Sequence, residues 1–400
     1  MKNVYFYTGS FTHTFYKEIF KYPPENFKFI PSSPDLESDA IKKDIIKKWY
    51  SPLWGKIQNL IVATLSILRI PKIRMIQHPK CALIHSAQYP LLNQHPWVID
   101  FEDVSAFTWY RRDVLDSGFV KRRLEHIFAS SYCRAILPWT EAAKKSLENG
   151  LDCSSFRSKI KVVYPVMTPQ PNIEEILEKK KNKSKVKILF VGTAFYAKGG
   201  VEALAVINEL SRHYPIEFIM ISNVPEEYRV QYAKNPAIHF LSRVSQEELH
   251  HHYKTSHLFL APYHTDTFGF VILEAFSYGI PCVATDQFAI PEIVEDGKTG
   301  KIVKNSVSRF DEKGLPIHYF SSGDEKQLIA LLKKPSADYL NRLKETVRLL
   351  LEKRDEIQKM SRQAYDEVAQ GRFSRIARQK IIGEVYSILN LIPIRNKKGN

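Results

Sequence analysis

A chain of 400 residues with 44% hydrophobic and 25% charged side chains can bury more than one core, which excludes a disordered polypeptide. Its 58 Lys and Arg against 43 Asp and Glu leave a formal charge of +15, which favours polyanions, anionic lipid surfaces or phosphorylated small molecules without choosing among them. Cys81, Cys133, Cys153 and Cys282 form no C-x-x-C pair and show no zinc spacing, a pattern that fits a reducing compartment.

Met1-Lys2-Asn3 runs directly into an apolar strand, Val4 to Tyr7, with no signal peptide ahead of it. Thr8-Gly9-Ser10 is the turn that follows. A helix over Thr12–Phe20 and a strand over Phe27–Ile30 come next, with His13 either an acceptor contact or a surface histidine. Residues 41–68 stand apart. Ile41, Ile45, Trp49 and Leu53 are spaced by four and share a helical face, and Lys42, Lys43, Lys47 and Lys48 crowd around them. A basic helix with tryptophan on its apolar side is the pattern of an interfacial anchor. A core-packed helix with a solvated charged face reads equally well. The apolar run Leu60–Leu68 is too short to span a bilayer.

Cys81–Ser86 reads as a strand and Trp97–Ile99 as the next, ending in Asp100-Phe101-Glu102-Asp103. Acids just beyond a strand end are placed for a sugar hydroxyl or for general-base work. Asp103 reads equally as the N-cap of a helix beginning at Val104, and His95 and His126 flank the acids at some distance. A strand at Ala135–Leu137, a helix capped by Thr140 and a last strand at Ile160–Tyr164 complete the first half. The run EEILEKKKNKSK within residues 172–185 is a charged boundary segment, not a core element.

Lys187–Val191 opens a second sheet. The loop Gly192-Thr193-Ala194-Phe195-Tyr196-Ala197-Lys198-Gly199-Gly200 reads as a flexible phosphate loop with Lys198 as its point charge, and it lacks the GK[ST] ending of a P-loop. Strands at Ile216–Ile221 and Ile238–Leu241 end at Ser222-Asn223-Val224 and Ser242-Arg243-Val244. Ser245-x-x-Glu248 is a capping box. His250, His251 and His252 diverge around a helix axis and make no ready metal site. His257–Ala261 is a strand, Pro262–Thr267 a polar turn, and a helix pattern starts near Phe268. Asp266 sits in that turn and Glu274 on the helix's second turn. N–H groups around Gly269, Phe270 and Val271 suit phosphate or sugar oxygens, and Glu274 can accept two hydroxyls. Pro281–Thr285 is the next strand. Helical patterns cover Gln327–Lys334, Ser336–Glu352 and Asp355–Gln370, and a last one runs from Ser374 to about Leu391. The order of elements is that of an α/β protein.

The string APYHTDTFGFVILEAFSYG, Ala261–Gly279, resembles the donor-binding signature of the retaining glycosyltransferases of the GT-B fold, glycosyltransferase family 4 or glycosyl transferases group 1. That signature has an acidic residue, seven residues, then a glutamate, with Phe-Gly between and Glu-Ala at the end. Phe268, Gly269, Glu274, Ala275, Gly279 and Pro281 fall on it, and Asp266 stands where the family more usually has glutamate. The resemblance implies two facing Rossmann-like domains with a deep interdomain cleft. Residues 1–168 would bind the acceptor, 169–185 would be a charged linker, 186–371 would bind the nucleotide sugar, and a terminal helix, 372–394, would cross back to the first domain.

It further implies a hexosyltransferase-type enzyme that moves sugar with retention from a UDP- or GDP-sugar to a glycan or lipid-linked acceptor, in cell-surface polysaccharide or glycolipid synthesis. The catalytic candidates are Asp266 and Lys198, which the resemblance implies, together with Asp103 and Glu102 on the acceptor side, read from their place just beyond a strand end. Donor contacts fall to Gly192, Thr193, Lys198, Arg243, Val244, Asp266, Phe268, Gly269, Phe270, Val271 and Glu274. The nucleotide sugar is the substrate; no further cofactor, no metal and no nucleic acid is expected. The expected location is cytoplasmic and peripheral on the inner membrane face through residues 41–68. Thr193 replaces a usual arginine, Phe288-Ala289 replace usual glycines, and only Gly9 remains in a usually glycine-rich first loop. These departures leave a degenerate GT-B protein, or another GT-B nucleotide-sugar enzyme such as an epimerase, as the alternative.

Overall fold

The computed structural model describes residues 1–9, 14–36, 64, 69–181, 184–317 and 325–389. Residues 41–63 and 65–68, and with them nearly all of the basic amphipathic segment, lie outside the described residues, as does His13. The chain forms two compact units, residues 1–166 with 311–322 and 376–400, and residues 167–310 with 323–375. Each is a Rossmann-like α/β domain built on a parallel sheet with flanking helices, the architecture of the GT-B fold.

The first sheet has the order β2-β1-β3-β4-β5, with β1 Lys2–Tyr7, β2 Phe27–Pro31, β3 Leu83–Ala87, β4 Trp97–Phe101 and β5 Cys133–Pro138. Every residue of β3 and β4 is buried, as expected of central strands covered on both faces. Strand β4 runs two residues beyond Ile99, so Asp100 is inside the sheet. Its Oδ1 accepts the Tyr16 hydroxyl at 2.7 Å and its Oδ2 lies 3.2 Å from His85 Nε2. A buried carboxylate with these partners needs no solvent. Ile160–Tyr164 is not a full strand. It makes a single bridge to Ile136 and two backbone hydrogen bonds along β5, and its next carbonyls accept from Arg378 instead.

The terminal helix Arg375–Leu389 packs on this first unit. Tyr386 Oη meets His85 Nδ1 at 2.5 Å, Arg378 donates to the carbonyls of Val163 and Tyr164, and Gln379 donates to those of Tyr22 and Pro23.

The second sheet has the order β11-β10-β9-β6-β7-β8. Its strands are β6 Val186–Val191, β7 Ile216–Ile221, β8 Ile238–Leu241, β9 Leu258–Ala261, β10 Cys282–Thr285 and β11 Gly300–Val303. Strand order reverses between β6 and β9, so the loops after these two strands leave the carboxyl edge side by side, where open sheets bind ligands. The sequence-read caps hold. Thr140 accepts the Ala143 N–H at 3.0 Å, and Ser245 and Glu248 form a complete capping box.

The charged boundary segment is a helix, Ile173–Lys181, and part of it is core. Ile173 and Ile176 are buried, and Leu177 and Ile173 pack against Gly279. Lys180 follows them inward because its ammonium reaches the carbonyl of Tyr278, at 3.0 Å. Burial pushes that ammonium down from 10.5 to about 7. The unfolded chain therefore binds the proton more tightly between these values. Stability falls as pH drops towards 7, and the cost is complete below it. Replacing Lys180 by Met is expected to raise the urea midpoint at about pH 6, with the gain shrinking to nothing near pH 10. A gain that does not change with pH would show that the lysine is not buried as a neutral amine.

Candidate functional site

Two loops of the second unit build the site. The loop after β6 carries Gly192, Thr193 and Lys198, and the loop after β9 carries Asp266. They are held together by backbone. Ala197 carbonyl accepts the N–H groups of His264 and Thr265 at 3.0 and 3.2 Å. Gly199, at φ +69°, lies so close to Pro262 that a Cβ would fall 2.0 Å from its carbonyl oxygen. Gly192 makes room for the lysine stem, since its own Cβ would fall 2.8 Å from Lys198 Cγ. Lys198 Nζ then lies 2.5 Å from Asp266 Oδ2, 3.2 Å from the Thr265 carbonyl and 4.5 Å over the Tyr263 ring.

Asp266 is fully engaged. Its Oδ1 accepts the N–H groups of Phe268 and Gly269 at 3.1 and 2.9 Å, which fixes the turn into the helix Phe270–Ser277. This corrects one expectation, because the Gly269 N–H points at Asp266 and not at a ligand. Phe268 is buried against Phe270 and Phe373, so its side chain is a packing element. Phe270 and Val271 are half-buried on the helix's first turn.

Glu274 lies one turn further on and does not touch the Lys198–Asp266 pair. It is half-buried, its Oε2 accepts the Tyr253 hydroxyl at 2.9 Å, and burial pushes its carboxyl above the usual carboxylate range. Tyr253 is in turn stacked on Tyr278, with ring centroids 5.2 Å apart. Arg243 and Val244 follow β8, two strands across the sheet from β6. Arg243 is exposed, as is Thr193.

In the first unit, Asp103 is fully buried. It caps the short helix Val104–Thr108 by accepting from the N–H of Ser105 at 2.8 Å and from its hydroxyl. Capping, rather than an open acid, is its observed place. Glu102 is half-buried at the carboxyl end of β4 and accepts from Tyr110 Oη at 2.5 Å and Gln88 Nε2 at 3.4 Å. Around it stand groups that sequence reasoning missed. Lys72 Nζ lies 4.2 Å over Tyr89, and the Arg74 guanidinium is 5.5 Å from Trp109. Burial pushes Lys72 down to about 8, while the Glu102 carboxylate acts the other way. Gln88, Trp109 and Tyr110 all hold positive φ, +62°, +58° and +61°. Strained non-glycine backbone of this kind clusters at functional sites. His95 is not near these acids; it lies at the opposite, amino-terminal edge of the sheet.

Comparisons with known proteins agree with this geometry. Residues 172–313 match the family model of glycosyl transferases group 1. A Klebsiella pneumoniae protein described as "Uncharacterized 41.2 kDa protein in cps region" is 30% identical over 160 residues, 38% of this chain and 44% of its own length. The phosphatidylinositol N-acetylglucosaminyltransferase gpi3 subunit of Schizosaccharomyces pombe is 25% identical over 126 residues, 30% of this chain and 28% of its own. The chain thus aligns with less than half the length of these two relatives. Among solved structures, Anabaena Alr3699/HepE in complex with UDP and glucose superposes over 97% of this chain and all of its own, at 12% identity and a TM-score of 0.56. The chain has the GT-B fold, and its residues 172–313 are similar to the glycosyl transferases group 1.

Three further features near this site come from the structure alone. His264 and Glu202 form a buried pair, Nε2 to Oε1 at 2.7 Å, with His264 Nδ1 at 3.0 Å from Asn305 Oδ1. An acid inside the otherwise apolar run GVEALAVI was the only signal for it. Gln287 is buried after β10, and among the described residues neither its Nε2 nor its Oε1 has a hydrogen-bond partner, an unsatisfied amide of the kind that marks a ligand or water position. Phe288 stands where the family has glycine, yet keeps φ +45°, its ring stacked 3.9 Å from that of Phe310.

Glu274 gives a pH test. Its folded carboxyl titrates above the usual value of 4.5, so its share of stability is present below that value and is lost as pH rises through the folded one. Replacing Glu274 by Gln keeps an acceptor for Tyr253 and removes the ionisation cost. The melting temperature of Glu274→Gln minus that of the wild type is expected to increase from about pH 4 to pH 7. A difference that is flat or decreasing would show that the carboxylate is solvated.

Proposed function

We propose that the protein is a retaining glycosyltransferase of the hexosyltransferase type. It moves a sugar from a nucleoside-diphosphate sugar, with UDP or GDP as carrier, to a glycan or lipid-linked acceptor in cell-surface polysaccharide or glycolipid synthesis. The observation that carries this reading is the Lys198–Asp266 pair at the strand-order reversal of the second sheet, inside the segment that matches the glycosyl transferase model. Departure of a nucleoside diphosphate needs positive charge already in place. Lys198 supplies it, and Asp266, anchored by two backbone N–H groups, orients the ammonium and the loop. Glu274 binds donor hydroxyls, and Arg243 and Val244 line the base. In the first unit Glu102 and Tyr110 face the acceptor, with the cations Lys72 and Arg74 beside them.

Titration calorimetry with UDP and GDP tests the reading. One nucleotide is expected to bind per chain, and Lys198→Met and Glu274→Gln are each expected to weaken it roughly 10–100-fold, the loss of one charge-assisted hydrogen bond of about 1.5–3 kcal/mol. Folded protein that gives no heat with either nucleotide defeats the proposal. Hydrolysis of the bound sugar nucleotide separates an active enzyme from a degenerate one.

The cytoplasmic, membrane-peripheral location rests on sequence, from the charge of +15 and the basic amphipathic pattern of residues 41–68. Among the described residues no helix is long and apolar enough to cross a membrane. Flotation is expected to carry the protein with anionic liposomes and to fall as salt rises. Equal partition into neutral liposomes counts against this attachment.

A further inference from the structure

The amino-terminal edge of the first sheet gathers two histidines and a cysteine that the sugar-transfer chemistry does not use. The parallel register pairs Ile84 of β3 with Trp97 of β4, and the Ile84 N–H donates to the Pro96 carbonyl at 3.0 Å. The residues that lead into these strands, Cys81 and His95, therefore emerge side by side. Three residues before Cys81, the turn at Pro79 brings His78 to the same place. Cys81 Sγ lies 3.6 Å from His78 Nδ1 and 3.6 Å from His95 Nε2. The three ligand atoms lie within 4.8 Å of one another, and the two imidazole centroids are 4.5 Å apart. All three residues are half-buried, so an ion can enter.

The two sulfur–nitrogen separations match a tetrahedral metal site. A zinc–sulfur bond of about 2.3 Å and a zinc–nitrogen bond of about 2.0–2.1 Å, at a tetrahedral angle, put sulfur and nitrogen roughly 3.5–3.6 Å apart. We propose that His78, Cys81 and His95 bind one zinc ion, with solvent in the fourth position. One thiolate and two neutral imidazoles form a donor set that suits zinc over magnesium or calcium. Binding releases the Cys81 thiol proton to solvent. The Nδ1 of His78, which stands 3.0 Å from the Pro79 carbonyl, must then present its lone pair and carry the imidazole proton on Nε2.

The place of the site assigns its role. Open parallel sheets bind substrates at their carboxyl edge, and this is the other edge. The connection from β3 to β4 is the nine residues 88–96, without a helix, shorter than the usual crossover between parallel strands. It is tied to the segment before β3 by Asn93, whose side chain exchanges two hydrogen bonds with the Ile76 backbone at 3.1 and 2.7 Å, and by the Leu92 N–H to the Arg74 carbonyl at 2.8 Å. A zinc ion on His78, Cys81 and His95 clamps the same two segments and so reinforces this connection, with its fourth position left open to solvent.

The test uses the whole chain, stripped with a chelator and titrated with cobalt as a spectroscopic probe and then with zinc. A thiolate-to-cobalt charge-transfer band is expected to saturate at one equivalent and to bleach as zinc displaces cobalt. Zinc is expected to raise the melting temperature of the wild type. Cys81→Ser is expected to abolish the band with unchanged circular dichroism. His95→Gln and His78→Gln are expected to weaken zinc binding by more than about 10-fold, the lower limit for losing even an outer hydrogen-bond partner of a ligand. No band in folded wild-type protein, or a band that survives in Cys81→Ser, overturns the site. Should Cys81→Ser not fold, unchanged zinc affinity in both histidine variants overturns it equally. No readout uses sugar transfer, so this outcome is independent of the proposed activity.

Discussion

The second unit depends on one close approach, that of Gly199 to the carbonyl of Pro262. The two loops of the site come from strands 67 residues apart, and no side chain could stand between them, since a Cβ at 199 would overlap the carbonyl oxygen. Once the backbones meet, the remaining contacts follow. The Ala197 carbonyl takes two N–H groups from the β9 loop, the lysine one residue further on is delivered to Asp266, and Asp266 sets the first turn of the next helix. A glycine at positive φ is thus what allows a cation from one strand and a carboxylate from another to share a point at the sheet's edge. The Tyr263 ring beneath Lys198 limits its solvation from below, and its hydroxyl is fixed on the Val191 carbonyl at 2.9 Å.

Around this point the protein buries groups that prefer water. Glu274, Glu202 with His264, and Gln287 all lie in the second unit's core or near it, and Gln287 has no partner among the described residues. Each costs stability that an apolar side chain would not. The first unit follows the opposite rule for Asp100 and His85, which are satisfied by Tyr16 and Tyr386 and so hold the terminal helix in place. This satisfied network fixes the frame of the first unit, whereas Gln287 stands unsatisfied in the loop after β10.

The second half was the more legible from sequence because its signals are local. The acid, Phe-Gly and Glu-Ala string lies within 19 residues, Ser245 and Glu248 sit three apart, and the Lys-Gly pair directly precedes its helix. What escaped was non-local. Strand β4 runs on through Asp100 because Tyr16 and His85 are there to receive the charge, and neither is near it in sequence. Lys180 belongs to a run that looks wholly solvated, and only the Tyr278 carbonyl, 98 residues on, explains its burial. His78, Cys81 and His95 have no motif spacing, because the register of two parallel strands, not a loop, brings them together. Asp103 shows the limit of local reading in the other direction. Its sequence position fits a cap and a catalytic acid equally, and only its complete burial against Ser105 separates them.

Phe288, where the resembled family usually has glycine, holds a positive φ. Glycine is favoured at positive φ because a Cβ crowds the following carbonyl, which costs a bulky residue roughly 1–2 kcal/mol. Phe288 bears that strain at φ +45°, and its offset is in view, since the ring stacks face to face on Phe310 and the next residues are buried. Ile290, two positions on, reaches to within 2.8 Å of where a Cβ on Gly269 would sit, so the Phe288 turn is part of the wall beside the Asp266 loop. The aromatic ring takes space that a glycine would leave open. Shape on this side of the site is therefore set by a side chain rather than by bare backbone.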